Sequence, residues 1–321
     1  MGERTSTPLW MCLFVIFATA CALQPRQSAA ADEWSARVNE GRLTVSLGGQ
    51  PLATYRASDG PTKRPFLEQL CTPRGTPVTR HHPPIAGKDS DDHADMHPGL
   101  WMSFGDLRGH DFWRNKSITK SEIVKGPETE SGVHFVIRNE YLAGERPLCE
   151  ETSSISFRSC PAGYVIDWNS SFKPVVEEIV FGDQEEMGIG VRMHTPLIVQ
   201  RGGQIRNSNG LLNEAGVWGK LADWCEYSGV VDGRRVGVAI LPSPRNFRRA
   251  WWHVRDYGLM VANPFGRNAL TGGEKSAVRI GKGETLELRF AVLVFDMPAG
   301  EDPNVASQYR DYAARENASK H

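Results

Sequence analysis

Apolar and polar residues alternate along much of the chain with a period of two. The segment 42–47 reads Arg-Leu-Thr-Val-Ser-Leu, so that every second side chain is apolar. Because successive side chains of a β-strand point to opposite faces, this pattern predicts a strand with one buried face. Strands are predicted in the same way for the segments 132–138, 163–168 and 285–295. The mostly apolar segments 179–181 and 236–241 predict more deeply buried strands.

The residues between these segments favour turns. The pairs Gly48-Gly49, Asp59-Gly60 and Asp232-Gly233 are typical of tight connections between strands. Many short strands separated by turn residues, with few helical patterns, predict an all-β fold. At this chain length we expect a large β-sandwich.

Helical spacing is found at the C-terminus. Val305, Tyr309 and Tyr312 recur at intervals close to one helical turn. Asp302 is the predicted N-terminal cap, and Pro303 suits the first helical position. The sequence therefore predicts a short C-terminal helix.

The first 31 residues have the layout of a secretory signal peptide. A short charged start precedes an apolar run of 15 residues from Leu9 to Leu23, and small residues follow up to Ala31. We expect cleavage near Ala31, a single domain over residues 32–321, and a secreted or periplasmic protein. Lipid anchoring at Cys21 is an alternative. The run is shorter than the ~20 residues of a membrane-spanning helix, and no integral membrane span is predicted.

Charge and cysteine content narrow the functional classes. The 321 residues include 37 Lys and Arg against 38 Asp and Glu, and this balance argues against a nucleic-acid partner. Cys12 and Cys21 lie in the predicted signal peptide. Of the remaining cysteines, Cys149 and Cys160 flank a strand-like segment and are the expected disulfide pair.

A loop rich in histidine and aspartate is the first candidate site. Four of the nine histidines lie within 17 residues, beside several aspartates: His81, His82, His93 and His97. Imidazole transfers protons near neutral pH and ligates metals. No cofactor is predicted outright, but a metal ion held by this cluster with Asp92 remains an alternative. A zinc-protease helix is not expected, since Ala94 stands where that motif needs Glu and Pro98-Gly99 would end a helix directly after His97.

An acidic segment is the second candidate site. Five carboxylates lie between Pro174 and Met187 with no basic residue among them, and the next segment ends in Arg192-Met193-His194. On a strand, Arg192 and His194 would share a face. We expect Glu185 or Glu186 to pair with His194 for acid–base chemistry. The alternative is a charged hairpin tip on an edge strand.

A segment rich in aromatic residues and arginine is the third candidate site. It reads Trp251-Trp252-His253-Val254-Arg255, and on a strand His253 and Arg255 would share one face. Arginine beside aromatic rings can bind an anionic or sugar-like ligand by hydrogen bonding and stacking. Trp101, which follows the histidine loop, is a further candidate for ligand contact.

Several short motifs, in their order along the chain, resemble the PmoA-like family of bacterial proteins. They are Arg64-Pro65-Phe66, Thr72-Pro73-Arg74-Gly75-Thr76-Pro77, His97-Pro98-Gly99-Leu100-Trp101, Trp252-His253-Val254-Arg255-Asp256-Tyr257-Gly258 and Asn263-Pro264-Phe265-Gly266. The resemblance covers nearly the whole chain after the signal peptide. It implies a β-sandwich protein associated with carbohydrate metabolism, in a form similar to the galactose-mutarotase supersandwich.

Three functional hypotheses follow. The first is a secreted carbohydrate-active enzyme of the epimerase, lyase or hydrolase type. His97 or His194 would then act as acid and Glu185 or Glu186 as base. The predicted contacts to a small carbohydrate ligand are His81, His82, His93, Trp101, Arg192, His253 and Arg255. The second is a metal-dependent oxidase or hydrolase using the cluster from His81 to His97. The third is a non-catalytic glycan-binding protein that uses the Trp-rich strands.

Overall fold

The computed structural model describes residues 1–3 and 33–318. Apart from its first three residues, the predicted signal peptide lies outside the described residues, as does Cys21. The first strands are β1 (Trp34–Asn39), β2 (Arg42–Leu47), β3 (Gln50–Arg56), β4 (Phe66–Glu68), β5 (Leu100–Phe104) and β6 (Ile118–Glu128). They are followed by β7 (Val133–Ala143), β8 (Arg146–Cys160), β9 (Gly163–Pro174), β10 (Glu178–Phe181), β11 (Met187–Arg192) and β12 (Gln204–Asn207).

The remaining elements include three helices. In chain order they are α1 (Asn213–Val217), β13 (Cys225–Val231), β14 (Arg234–Pro242), β15 (Trp251–Arg255), β16 (Leu259–Asn263), α2 (Arg267–Thr271), β17 (Val278–Gly281), β18 (Leu286–Pro298) and α3 (Val305–Ala318). Short 3-10 turns lie at Thr195–Leu197 and Val199–Arg201. The six strands predicted from the pattern are present as β2, β7, β9, β10, β14 and β18.

Two antiparallel sheets of eight strands form a sandwich. The first sheet has the order β1-β2-β3-β4-β5-β11-β16-β15, the second has the order β12-β13-β14-β18-β9-β8-β7-β6, and β10 pairs with β17. In β2 the apolar residues Leu43, Val45 and Leu47 are buried, as the alternation predicts. The prediction of an all-β sandwich with a short C-terminal helix is confirmed.

The outer face of the second sheet is covered by α3. Val305 and Tyr312 of the helix pack against Leu293 and Phe295 of β18, which explains why this long strand is apolar on both faces. The helix begins two residues later than predicted. Asn304 Oδ1 accepts a hydrogen bond from the Ser307 backbone N–H at 3.2 Å, so Asn304, rather than Asp302, occupies the capping position.

The predicted pairing of Cys149 with Cys160 is wrong. Both residues lie on the single strand β8, 11 residues apart. At about 3.3 Å per residue, an extended strand separates them by roughly 36 Å, whereas the Cα atoms of a disulfide lie about 4.4–6.8 Å apart. All four cysteines in the described part of the chain are free thiols.

One end of the first sheet carries the polar clusters identified in the sequence. The inner face of β5, β11, β16 and β15 belongs to the main core, through residues such as Met102, Ile189 and Met260. On the outer face, a smaller apolar cluster contains Trp101, Trp113, Phe66, Leu259 and Val261. Candidate site residues surround this smaller cluster.

Candidate functional site

Two buried arginines hold the histidine loop on the outer face of the first sheet. Arg80 Nη1 donates to the backbone carbonyls of Ser90 at 2.9 Å and Asp92 at 2.7 Å. Arg64 Nη1 donates to the Trp113 carbonyl at 2.8 Å, and its Nη2 donates to the Met96 carbonyl. These bonds satisfy loop carbonyls that would otherwise lose their solvent partners. The loop therefore has a defined conformation.

The loop histidines separate into three groups. His82 is buried and contacts Asp59 Oδ2 through Nε2 at 2.5 Å. His93 and His97 stack on each other with ring centroids 4.9 Å apart. His81 instead contacts His194, with ring centroids 5.3 Å apart. The structure therefore does not bring the four loop histidines together around one metal ion.

His97 is enclosed by aromatic rings. The residue is 2% exposed and stacks on Trp101 at a centroid distance of 5.3 Å. Neither ring nitrogen has a hydrogen-bond partner. Burial, together with the nearby positive charge of Arg192, lowers the pKa of His97 well below its usual value. The imidazole is therefore neutral at physiological pH.

Arg192 lies beside this stack, at the end of β11. Its Nη2 donates to Asp92 Oδ1 at 2.7 Å, and its guanidinium lies 4.6 Å from the centre of the Tyr257 ring. The Nε and Nη1 atoms of Arg192 are buried without partners. Partial burial acts to raise the pKa of Asp92, but hydrogen bonds from Arg192, Ser90 and His93 hold that pKa below its usual value. Tyr257 also stacks on His93 at 5.8 Å.

A third group joins His81, Asp89 and His194 where the loop meets the end of β11. His81 Nδ1 lies 2.8 Å from Asp89 Oδ2, and one ligand atom from each of the three residues lies within 4.8 Å of the others. Thr195 Oγ1 donates to Asp89 Oδ1 at 2.7 Å, and the Ile85 backbone N–H donates to Asp89 Oδ2 at 3.0 Å. Two imidazoles and a carboxylate are a donor set that binds divalent transition metals.

Glu185, His253 and Arg255 form a further polar group on the same face of the sheet. His253 is 3% exposed, and its Nδ1 lies 3.0 Å from the Glu185 carbonyl oxygen. Because a carbonyl oxygen only accepts, Nδ1 carries the proton and Nε2 presents a lone pair. That Nε2 is buried without a hydrogen-bond partner and lies 3.8 Å from Glu185 Oε2. Burial, and secondly the charge of Arg255, lower the pKa of His253 to about 4.

Arg255 connects two carboxylates at this group. Its Nη2 lies 3.3 Å from Glu185 Oε2, and its Nη1 lies 2.9 Å from Glu214 Oε1. The guanidinium also lies 5.6 Å from the centre of the Trp218 ring. Glu185 is 39% exposed at its side chain, so its carboxylate is accessible to a ligand from solvent.

The expected pairing of Glu185 or Glu186 with His194 is wrong. Both glutamates precede β11, whereas His194 follows it. An extended segment of this length separates Glu186 from His194 by roughly 25 Å at about 3.3 Å per residue. Glu186 forms an ion pair with Arg114 instead, and Glu185 contacts His253.

Strand register places the candidate residues on one face of the sheet but not at one point. Trp101 lies opposite Gly190, Gly190 opposite Val261, and Val261 opposite His253. At about 4.8 Å per strand, His253 lies roughly 14 Å from Trp101. In the next row, Arg192 lies opposite Leu259, which lies opposite Arg255. The predicted residues therefore form neighbouring groups rather than one cluster.

Three cavities in the described part of the chain lie away from the candidate site. Their volumes are about 490, 500 and 450 Å³, and none of the predicted site residues lines them. Within the candidate site, the side chains of Glu185, Arg255, Tyr257 and His81 are partly exposed, and that of His93 is exposed. No helix in residues 1–3 and 33–318 is long and apolar enough to span a membrane.

Reasoning from the sequence missed three residues of these groups. Glu214 holds Arg255 and Asp89 holds His81, while Arg64 anchors the loop. The density of aspartates in the loop was the one available signal for Asp89. Glu214 lies about 40 residues before Arg255 in a polar segment, and no local pattern connects the two.

Comparisons with known proteins identify the family and several distant structures. The model of a family described as "Family of unknown function (DUF6807)" matches residues 42–309. No curated protein sequence matches the chain.

Three solved structures are similar over most of this chain. A putative aldose 1-epimerase from Escherichia coli has 10% identity and a TM-score of 0.35, over 81% of this chain and 98% of that one. A galactose mutarotase-like protein from Lactobacillus casei has 9% identity and a TM-score of 0.32, over 82% and 99%. A heparan sulfate lyase HepC mutant from Pedobacter heparinus has 11% identity and a TM-score of 0.39, over 86% and 37%. At TM-scores this low, the similarity assigns no functional role to any residue of this chain.

Proposed function

The chain belongs to the DUF6807 family of unknown function, and we propose that it is a carbohydrate-active protein that transfers protons at Glu185, with His253 orienting the ligand. The ligand is a small sugar or sugar acid that binds on the outer face of the first sheet. The N-terminal sequence and the resemblance to PmoA-like proteins support a secreted or periplasmic protein of carbohydrate metabolism.

The observation that carries the proposal is the unpartnered Nε2 of His253 beside the Glu185 carboxylate. The backbone carbonyl of Glu185 fixes the His253 tautomer, so Nε2 accepts hydrogen bonds. Both Nε2 and Glu185 Oε2 are acceptors, and they lie 3.8 Å apart. A buried acceptor without a donor is costly, and a sugar hydroxyl supplies that donor.

The chemistry divides between three side chains. The Glu185 carboxylate takes the proton from the ligand as general base, and the positive charge of Arg255 stabilises the oxyanion that forms. Protonated Glu185 then returns the proton as the product forms, which regenerates the carboxylate. His253 accepts a hydrogen bond from a neighbouring hydroxyl and orients the ring of the sugar. Because its pKa is about 4, His253 is not the acid at neutral pH. This division favours an epimerase-type reaction at the anomeric carbon or beside a carbonyl group.

A non-catalytic glycan platform made of the Trp-rich strands has less support. Trp101, Trp113 and Trp252 are fully buried, and Trp251 is 9% exposed. Stacking of a sugar requires an exposed aromatic face, and among these residues none provides one.

The test follows sugars by ¹H NMR with the full-length protein. A panel of free aldoses and uronic acids would be screened for faster anomeric exchange or for exchange of a carbon-bound proton. We expect Glu185→Gln to lower the rate by about 10²-fold or more, as is usual for the loss of a general base. Glu178→Gln is the matched control, because Glu178 forms an exposed ion pair with Arg279 and should retain the full rate. A wild-type protein that neither binds nor changes any of these sugars would overturn the proposal, as would full activity of Glu185→Gln.

A further inference from the structure

We propose that His81, Asp89 and His194 bind a divalent transition-metal ion. One ligand atom from each residue lies within 4.8 Å of the others. His194 Nδ1 is buried and has no hydrogen-bond partner. This site does not include Glu185 or His253, so it is independent of the proposed sugar chemistry.

The carboxylate of this group is already held in place by neighbouring residues. Thr195 Oγ1 donates to Asp89 Oδ1, and the Ile85 backbone N–H donates to Asp89 Oδ2. Outer hydrogen bonds of this kind orient metal ligands and are a regular part of metal sites. They also leave the Asp89 carboxylate facing His81, which contacts it at 2.8 Å.

The donor set favours one class of ion. Two imidazoles with one carboxylate suit zinc, iron and neighbouring metals, whereas magnesium and calcium prefer oxygen ligands alone. Three protein ligands leave coordination positions for water or for an oxygen of a bound molecule. His81 is 31% exposed at its side chain, so an ion can enter from solvent.

The ion would also connect two distant parts of the chain. His81 and Asp89 belong to the loop, whereas His194 lies directly after β11, and Thr195 is 106 residues from Asp89. Other loop histidines do not take part, because His82 contacts Asp59 and His97 is enclosed by Trp101. Binding should therefore stabilise the folded chain, by an amount that rises with the logarithm of the ion concentration above the dissociation constant.

The direct test is titration of the full-length protein, freed of metals with a chelator, with Zn²⁺ in a calorimeter. We expect one ion per chain and an affinity at least 100-fold weaker in His194→Gln and in His81→Gln. Ca²⁺ and Mg²⁺ should not bind at this site. His134→Gln is the control, since His134 lies on β7 in the second sheet and contacts Glu128 and Ser154.

A second measurement does not depend on the variants folding. Co²⁺ bound by two imidazoles and a carboxylate gives visible absorption typical of low coordination number. We expect this spectrum in the wild-type protein, together with a higher thermal unfolding temperature when Zn²⁺ is added. If the wild-type protein binds neither ion, or if folded His81→Gln and His194→Gln bind Zn²⁺ as tightly as the wild type, the proposal is wrong.

Discussion

The imidazole of His97 lies nearly parallel to the indole of Trp101, with 5.3 Å between ring centroids and 14° between planes. Trp113 meets Trp101 edge-on at 5.2 Å. Both indoles lie over Gly190 of β11. A Cβ atom at Gly190 would lie 2.9 Å from Trp113 Cη2 and 3.0 Å from Trp101 Cζ2. The stack that positions His97 therefore depends on the missing side chain at Gly190.

Gly190→Ala should destabilise the fold by about 1–3 kcal/mol, the usual cost of overpacking a buried site. The rigid indoles cannot move without disturbing His97 and Arg64. Gly216→Ala is the matched control, because the nearest atom to a Cβ there is 3.7 Å away and the residue is helical. Gly216→Ala should leave the free energy of unfolding unchanged or raise it slightly. Urea unfolding of both variants measures the difference, and equal stabilities would contradict the packing described for Gly190.

Stability should fall as the pH decreases from 7 to 5, because His253 is buried as a neutral imidazole. Its pKa is about 4 in the folded chain and about 6.5 when unfolded. Between these values the unfolded chain binds more protons, so lowering the pH favours unfolding. For His253 alone this amounts to about 2 kcal/mol between pH 7 and pH 5. The lowered pKa values of His97 and His194 act in the same direction.

The pH prediction is checked by the free energy of unfolding in urea at pH 7, 6 and 5. His253→Gln should lose about 2 kcal/mol less than the wild type over this range. His110→Gln is the control, because His110 is only half-buried, and it should follow the wild type. A pH profile of His253→Gln identical to that of the wild type would show that His253 is not responsible.

The strands could be predicted because their signal is local. In β2 and β7, the alternation of apolar and polar residues predicts which side chains are buried, and the same side chains are buried in the structure. Asp232 and Gly233 both have positive φ, as the turn between β13 and β14 requires. The cap of α3 was placed too early, because Asp302 and Asn304 are both good capping residues and only the backbone path distinguishes them.

The grouping of the site residues could not be predicted, because it depends on contacts between distant segments. His81 contacts His194 because Thr79 pairs with Met193, which places the start of the loop beside the end of β11. Arg80 holds the loop through carbonyl groups, which every residue possesses and no motif marks. A dense group of histidines in the sequence was therefore a correct signal of an unusual loop, but not of which histidine lies beside which partner.

Arg80→Lys should loosen the histidine loop without unfolding the sandwich. A lysine has one nitrogen and cannot reach the carbonyls of Ser90, Asp92, His93 and His97 that the planar guanidinium contacts. Amide hydrogen exchange in residues 89–97 should rise by about tenfold or more, which corresponds to about 1.4 kcal/mol of lost local stability. Arg74→Lys at an exposed position is the control. Unchanged exchange in the loop of Arg80→Lys would mean that other contacts hold it.

At the buried carboxylate of Glu151, substitution by glutamine should cost little stability, whereas substitution by leucine should cost much more. Its Oε1 accepts hydrogen bonds from Ser153 and Ser170, both at 2.6 Å, and its Oε2 accepts from Tyr141 at 2.7 Å and Asn139 at 2.8 Å. In Glu151→Gln the amide NH₂ can face the two serine hydroxyls, which rotate and accept, so we expect a loss of about 1 kcal/mol. Glu151→Leu leaves the Asn139 and Tyr141 donors without an acceptor and should cost about 3 kcal/mol or more. Urea unfolding compares the two variants, and a leucine variant as stable as the glutamine variant would show that these hydrogen bonds contribute little to the fold.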